Sequence, residues 1–288
     1  MPAVSDRVRL AARDWQLTLG PLLAGGTRSA VYEAWDEAGR DVVLKVPATR
    51  ADHRDAATDE AAALAAWATS GAAVAMLDAT PDALLLVRVR PGALMPWRTD
   101  ASLDDTIGAA AELLHRLWSA RPESYAYPTL AQVYPEDDRV AREDAKHEQL
   151  VHGNPERGMP GVTRLPAAAV VAEELIRTTA DPALLHGDFI TKNLLSDHTS
   201  PVGWVAIDPL PMTGDPAAEV ASFAAYQPAE LILPIAEALA VRTSTDPRRV
   251  LRWTAVWTVH QAAQAWRDDQ QELERLVESP AITTLLRR

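Results

Sequence analysis

The chain has 288 residues, of which 48% are hydrophobic and 24% are charged, a balance that excludes a largely disordered protein. Its 28 Lys and Arg residues against 40 Asp and Glu give a formal charge of -12, which disfavours binding to nucleic acids or anionic membranes. With no cysteine, no signal-peptide core and no long apolar run, we expect a cytoplasmic protein, monomeric or dimeric, that binds a small and preferably cationic molecule.

The first third of the chain contains short apolar runs with strand character, separated by turn residues. An alanine-rich run with helical spacing predicts one helix, over Asp55–Thr69. The sequence Arg90-Pro91-Gly92 ends the last run and indicates a hinge. Five strands are predicted before that hinge, at Trp15–Leu23, Ser29–Trp35, Asp41–Val46, Ala72–Leu77 and Ala83–Val89.

Beyond the hinge the pattern is mostly helical. Glycine and proline between His152 and Pro166 indicate a mobile surface loop rather than a domain boundary. The sequence predicts an α+β fold of two lobes: a small antiparallel sheet plus one helix over residues 1–88, and a larger, mainly helical lobe over residues 89–288. Helices are predicted over Leu103–Ser119, Pro135–Val151, Pro166–Thr179, Ala217–Tyr226, Pro228–Val241 and Pro247–Trp266.

A polar loop lies between two apolar pairs, at residues 184–185 and 194–195, which predict two short buried strands. The loop carries Asp188 and, five residues later, Asn193, and a third apolar run ends in Asp208. Together they supply a carboxylate to accept a hydroxyl proton, an amide oxygen and a second carboxylate. These are the hard oxygen groups that magnesium-dependent phosphoryl transfer requires.

These motifs resemble in combination the catalytic core of the aminoglycoside phosphotransferases, which have a protein-kinase-like fold. His186-Gly187-Asp188, four residues and Asn193 are followed at a strand end by Ile207-Asp208-Pro209. The continuation, from Gly214-Asp215-Pro216 to Glu219-Val220-Ala221, is similar to the streptomycin 6-kinase and hydroxyurea phosphotransferase branch. The resemblance implies transfer of the γ-phosphoryl group of ATP, with Mg²⁺, to a hydroxyl of a small molecule, an aminoglycoside such as streptomycin, and thus antibiotic inactivation.

Carried over position by position, the resemblance implies that Asp188 is the catalytic base and that Asn193 and Asp208 hold Mg²⁺. It also implies that Lys45 binds the α- and β-phosphates and pairs with Glu60 on the following helix. Lys45 lies in an otherwise apolar strand, where burying a lysine without an anionic partner is costly. The alternative is a lysine on an edge strand that reaches solvent.

Further nucleotide contacts follow from the same resemblance. Gly25 and Gly26 lie between the first two predicted strands, where small residues let backbone N–H groups approach phosphates, and Ser29 is a further phosphate contact. A plain hairpin turn explains these glycines equally well. The backbone of Val87 and Val89 is expected to contact the adenine.

Other residues of the catalytic segment have less specific interpretations. Lys192 is either a contact to the transferred phosphoryl group or an exposed loop lysine. His186 is predicted to pack and hydrogen-bond rather than carry protons, and Asp215 to cap a helix. Acidic residues such as Glu219 and Asp269 form either a pocket for a cationic drug or solvated helix surfaces.

The sequence leaves the acceptor open. The alternatives are a metabolic kinase for hydroxyurea, an amino sugar or a choline-type substrate, and a kinase-like binding module without turnover. Trp253, Trp257 and Trp266 recur at near-helical spacing and are predicted to lie in the core rather than to form a wall for sugar stacking.

Overall fold

The structure is a computed structural model that describes residues 4–23, 29–47, 56–96, 103–120, 125–152 and 156–287. Within these residues the chain forms a five-stranded sheet near the N-terminus, two smaller sheets and a mainly helical C-terminal part. This arrangement confirms the predicted α+β fold.

The N-terminal sheet is antiparallel, with strand order β1-β2-β3-β5-β4. Its fourth strand begins later than predicted, because residues Ala72 and Val74 pair elsewhere: Ala206 N donates to Ala72 O (2.7 Å) and Val74 N donates to Ala206 O (2.9 Å). The strands are β1 (Thr18–Leu22), β2 (Ser29–Trp35), β3 (Asp41–Pro47), β4 (Met76–Thr80) and β5 (Ala83–Val87).

In the described part of the chain two helices accompany this sheet, whereas the sequence predicted one. Helix α1 (Val4–Asp14) packs Val8 against Leu44 and Val46 of β3. Helix α2 (Ala56–Ala66) lies within the predicted range Asp55–Thr69. The pattern of α1 was missed because only a narrow apolar stripe interrupts its charged residues.

The C-terminal part contains helices α3 to α10. The predicted starts of two helices were wrong, because Pro135 and Pro166 lie inside helices and not at their first residues. Pro160 instead occupies the first turn of α5, where a missing N–H costs no helical hydrogen bond, so the predicted loop 152–166 is helical from Met159 onward. The helices are α3 (Leu103–Trp118), α4 (Leu130–His152), α5 (Met159–Arg177), α6 (Pro216–Ala225), α7 (Ile232–Arg242), α8 (Pro247–Gln264), α9 (Gln270–Glu278) and α10 (Pro280–Leu285).

Two small sheets position the segment that contains Asp188 and Asn193. Strand β7 (Ala183–Leu185) pairs with β10 (Met212–Gly214), and β8 (Leu194–Asp197) lies between β6 (Pro91–Leu94) and β9 (Trp204–Ala206). Strand β6 lies where the sequence predicted only a hinge. The chain that leaves the N-terminal sheet is therefore paired at once into the sheet that precedes Asp208.

The C-terminal core is closely packed where α5 crosses α8. A Cβ atom built on Gly161 lies 2.2 Å from the backbone nitrogen of Ala263, so only glycine fits there. The predicted tryptophan core is correct for the fully buried Trp253, but Trp266 is 54% exposed. Along the described stretches, no helix combines the length and apolarity needed to cross a membrane.

Candidate active site

Lys45 lies at the centre of a buried ionic cluster. Its ammonium nitrogen donates to Glu60 Oε2 and to Asp208 Oδ1, each at 2.5 Å. Strand β3 supplies Lys45, helix α2 supplies Glu60, and the turn after β9 supplies Asp208. Lys45 is 4% exposed, so it is not a surface lysine, and the cost of its burial is offset by two carboxylates.

The ionic cluster shifts the pKa values of its three side chains. Burial alone would lower the pKa of Lys45, but the carboxylates of Glu60 and Asp208 outweigh it and raise that pKa above its ordinary value. Burial raises the pKa of Glu60, and Lys45 opposes this only in part. Burial also acts to raise the pKa of Asp208, yet Lys45 holds it below its ordinary range. Asp208 therefore stays an anion, as a metal ligand must.

Asp188 and Asn193 form a second pair beside this cluster. Asn193 Nδ2 donates to the Asp188 carboxylate (2.8 Å) and to the Asp188 carbonyl (2.9 Å). A short 3₁₀ turn at Thr191–Asn193 folds the loop back so that residues five apart meet. Lys192 is 64% exposed in its side chain and lies 3.9 Å from Asp188.

The Lys45 cluster and the Asp188–Asn193 pair are linked through the backbone. Ile207 N donates to Asn193 O (2.9 Å), which places the residue before Asp208 directly against the loop of Asp188 and Asn193. Asp208 has a left-handed φ of 57°, a conformation that costs energy for a residue with a side chain.

Gly187 is required by a close backbone approach. Its φ is 78°, and a Cβ built there lies 2.0 Å from the carbonyl oxygen of Leu210. Leu210 N also donates to His186 O (2.8 Å), so the loop before Asp188 is bound to the segment after Asp208.

Glu219 holds the same loop from helix α6. It is 3% exposed and accepts from Gly187 N (2.8 Å) and from the Trp118 indole (2.9 Å). Burial raises the pKa of Glu219 to about 7, although both donors oppose the shift. Glu219 is thus neither a solvated helix residue nor part of a drug pocket. The sequence missed this role because the contact joins residues 32 apart.

His186 is fully buried, and its ring stacks on Trp67 at the end of α2, with centroids 6.1 Å apart and planes 12° apart. Burial lowers the pKa of His186 to about 4, so the imidazole is neutral near pH 7. These observations agree with a packing residue rather than a proton carrier. Asp215 caps α6 through Ala217 N, as predicted, and also accepts from Arg249 and Trp253.

The donor set suits Mg²⁺. Asn193 uses its Nδ2 for Asp188, which leaves the amide oxygen for a metal, and the Asp208 carboxylate is 48% exposed. Within the described ranges, no group of three or more His, Cys, Asp or Glu side chains is arranged to hold a metal ion alone. Magnesium in phosphotransferases is typically held by one or two protein oxygens together with phosphates, and Asn193 and Asp208 match that pattern.

The structure describes only some of the residues that the sequence predicts to contact the nucleotide. Gly25 and Gly26 lie outside the described residues. Ser29 is the first residue of β2 and pairs with Pro47. Val87 N donates to Ala75 O (2.9 Å), so that amide is used within the N-terminal sheet, whereas Val89 is buried two residues further on.

Solved structures with the same fold are small-molecule kinases. A choline/ethanolamine kinase family protein from Mesorhizobium loti is 15% identical with a TM-score of 0.64, covering 99% of this chain and 98% of that one. Aminoglycoside phosphotransferase APH(3'')-Id from Streptomyces rimosus, solved with ADP and streptomycin, is 20% identical with a TM-score of 0.59, covering 93% and 100%. The streptomycin-ATP-APH(2'')-IIa complex is 14% identical with a TM-score of 0.56, covering 98% of each chain.

These likenesses confirm the kinase-like fold predicted from the motifs. A comparison with curated protein sequences gave no match. The family model described as aminoglycoside/hydroxyurea antibiotic resistance kinase matches residues 14–270, which is most of the chain. The chain is therefore a small-molecule kinase that belongs to the aminoglycoside/hydroxyurea antibiotic resistance kinase family.

Proposed function

We propose that this chain transfers the γ-phosphoryl group of ATP to a hydroxyl group of an aminoglycoside such as streptomycin. The observation that carries the proposal is the hydrogen bond from Ile207 N to Asn193 O, which joins the Asp188–Asn193 pair to the cluster around Lys45. This link supports a site in which a proton acceptor, a phosphate-binding cation and a pair of metal-binding oxygens act together. Two structures with this fold contain streptomycin with ADP or ATP, and the formal charge of -12 favours a cationic acceptor.

In this proposal Asp188 accepts a hydrogen bond from the acceptor hydroxyl and takes its proton. The hydroxyl oxygen forms a bond to the γ-phosphorus while the bond from that phosphorus to the bridging oxygen of ADP breaks. Asn193 fixes the rotation of the Asp188 carboxylate, and Lys45, oriented by Glu60, binds the α- and β-phosphates. Mg²⁺, when held by Asn193 and Asp208, supplies charge neutralisation of the phosphates.

The remaining nucleotide contacts are assigned to backbone groups. The loop of Gly25 and Gly26, together with Ser29, binds the phosphates in this scheme, and the backbone of Val87 and Val89 binds the adenine. Lys192, four residues after Asp188, is within reach of a transferred phosphoryl group because its side chain is exposed and turned toward that carboxylate.

We also propose a division into a nucleotide-binding lobe, residues 1–88, and a catalytic and acceptor-binding lobe, residues 89–288. Its support is the pairing pattern: β5 ends at Val87 in the N-terminal sheet, and β6 begins at Pro91 in the sheet of β8 and β9. A cytoplasmic location, where ATP is available, suits such an enzyme.

The test is ADP release from purified protein with ATP and Mg²⁺ across a panel of streptomycin, hydroxyurea, glucosamine and choline. Asp188→Ala serves as the blank, because removing a general base lowers turnover by about 100- to 10,000-fold. We expect the wild type to release ADP in the presence of streptomycin and Asp188→Ala to lose this turnover. Undiminished turnover in Asp188→Ala contradicts the assignment of the base.

A choline-type kinase is the second candidate, since the choline/ethanolamine kinase family protein shares this fold over 99% of the chain. Turnover with choline but not with streptomycin favours this second candidate. Binding of ATP without turnover on any acceptor, in protein that remains folded, favours instead a binding module or an acceptor outside the panel.

A further inference from the structure

Helix α2 presents two consecutive carboxylates to two different parts of the molecule. Glu60 accepts from Lys45, whereas Asp59 Oδ1 accepts from the hydroxyl of Tyr125 at 2.5 Å. Consecutive residues of an α-helix project about 100° apart around its axis. The two contacts therefore oppose rotation of α2 in either direction.

The side chains of α2 explain why such contacts matter. Seven of its eleven residues are alanine, so the helix offers few large side chains to fix its rotation by packing. Trp67, just after its last turn, donates to Leu117 O (3.1 Å) and stacks on His186, which anchors the C-terminal end. Asp59 lies in the first turn, and its bond to Tyr125 anchors the opposite end.

Tyr125 is itself held in place. Its ring lies 4.7 Å from that of Tyr127, and Thr213 N in β10 donates to the carbonyl of Pro128 (2.8 Å). Because β10 pairs with β7 directly before the catalytic loop, the segment of Tyr125 is fixed to the same framework as Asp188. The bond to Asp59 thus ties α2 to that framework.

We infer that Tyr125 is a positioning residue for the nucleotide: through Asp59 it sets the rotation of α2, and so the orientation of Glu60 and Lys45 toward the phosphates. This inference rests on the proposed role of Lys45. A bond between a hydroxyl and a carboxylate is strong enough to change a two-state orientation of the helix by about tenfold.

The test measures the affinity of the protein for a non-hydrolysable ATP analogue with Mg²⁺ by titration calorimetry. We expect Tyr125→Phe to weaken binding by about tenfold. Asp59→Ala should do the same, while Asp59→Asn, which keeps an acceptor, restores most of the affinity. Tyr127→Phe is the matched control, since the buried Tyr127 hydroxyl has no hydrogen-bond partner among the described residues, and it should bind as the wild type does.

A double-mutant cycle separates positioning from a general loss of structure. If Tyr125 acts through Lys45, then Tyr125→Phe causes no further loss in a Lys45→Ala background. Wild-type affinity in Tyr125→Phe, or an equal loss in both backgrounds, overturns the inference. If Lys45→Ala binds the analogue as tightly as the wild type does, Lys45 does not bind the phosphates and the inference fails for that reason. The proposed reaction is tested separately, by the turnover of Asp188→Ala.

Discussion

The side-chain amide nitrogen of Asn193 donates hydrogen bonds to both the carboxylate (2.8 Å) and the main-chain carbonyl (2.9 Å) of Asp188. One side chain therefore fixes the proposed base, and its remaining amide oxygen is the group assigned to the metal. The same residue therefore sets the orientation of Asp188 and provides the proposed metal ligand.

Replacing Asn193 by alanine is expected to lower kcat by about 100-fold, because a reacting group displaced by about 1 Å loses that much rate. The Mg²⁺ concentration needed for half-maximal rate should rise as well. Both are measured by ADP release at varied Mg²⁺. Thr199→Ala, in the exposed turn after β8, is the control and should match the wild type; a wild-type kcat in Asn193→Ala contradicts the assignment.

Replacing Lys45 by methionine is expected to lower the free energy of unfolding by about 3 kcal/mol at pH 7, because the buried carboxylate of Glu60 loses its cation. The loss should shrink as the pH falls, since protonation of Glu60 removes the unpaired charge. Urea unfolding at pH 5 and pH 7 measures both effects. Arg139→Ala, which breaks only exposed ion pairs on α4, is the control and should change the free energy of unfolding far less.

Glu219 predicts a pH dependence of stability with a definite sign. Its pKa of about 7 in the folded protein lies above the ordinary 4.5, so the folded state binds the proton more tightly than the unfolded chain does. The contribution to stability is complete below about pH 4.5 and is lost as the pH rises through about 7, about 3 kcal/mol in all. The difference in unfolding free energy between the wild type and Glu219→Gln should therefore favour the wild type more at pH 5 than at pH 7.5. A difference that does not change with pH contradicts the shift.

Two helical glycines should respond oppositely to alanine. Gly161→Ala places a Cβ 2.2 Å from the backbone of Ala263, so α5 and α8 must separate, at a cost of about 3 kcal/mol. In α3, the nearest atom to a Cβ on Gly108 is the flexible Arg242 guanidinium at 3.5 Å, and Gly108→Ala should stabilise by about 0.5–1 kcal/mol. Thermal and urea unfolding of the two variants provides the measurement.

Local sequence signals were sufficient for the elements nearest the site. The hairpin of β2 and β3 follows from two apolar runs around Gly39, and the spacing of Asp188 and Asn193 lies within one loop. The buried setting of Lys45 follows from its apolar neighbours in the strand. In each case residues close in sequence decide the structure.

The contacts that sequence did not indicate join distant residues. Glu219 meets Gly187 across 32 positions and Tyr125 meets Asp59 across 66, and no short-range pattern records either pair. Pro166 illustrates a different failure, because tertiary packing keeps α5 helical across a residue that usually begins or ends a helix. Helices α9 and α10 lay beyond the last predicted element.

The sheet of β6, β8 and β9 joins residues 91–94 to residues 194–206, whereas every strand of the N-terminal sheet comes from residues 18–87. A chain emerging from the ribosome has the whole first sheet available long before β8 exists. Because long-range pairing must close a large loop, the surroundings of Asp208 are the high-contact-order part of the fold, and we expect them to form late. Substitutions near Asp208 should therefore slow maturation of the enzyme while leaving the N-terminal sheet able to form.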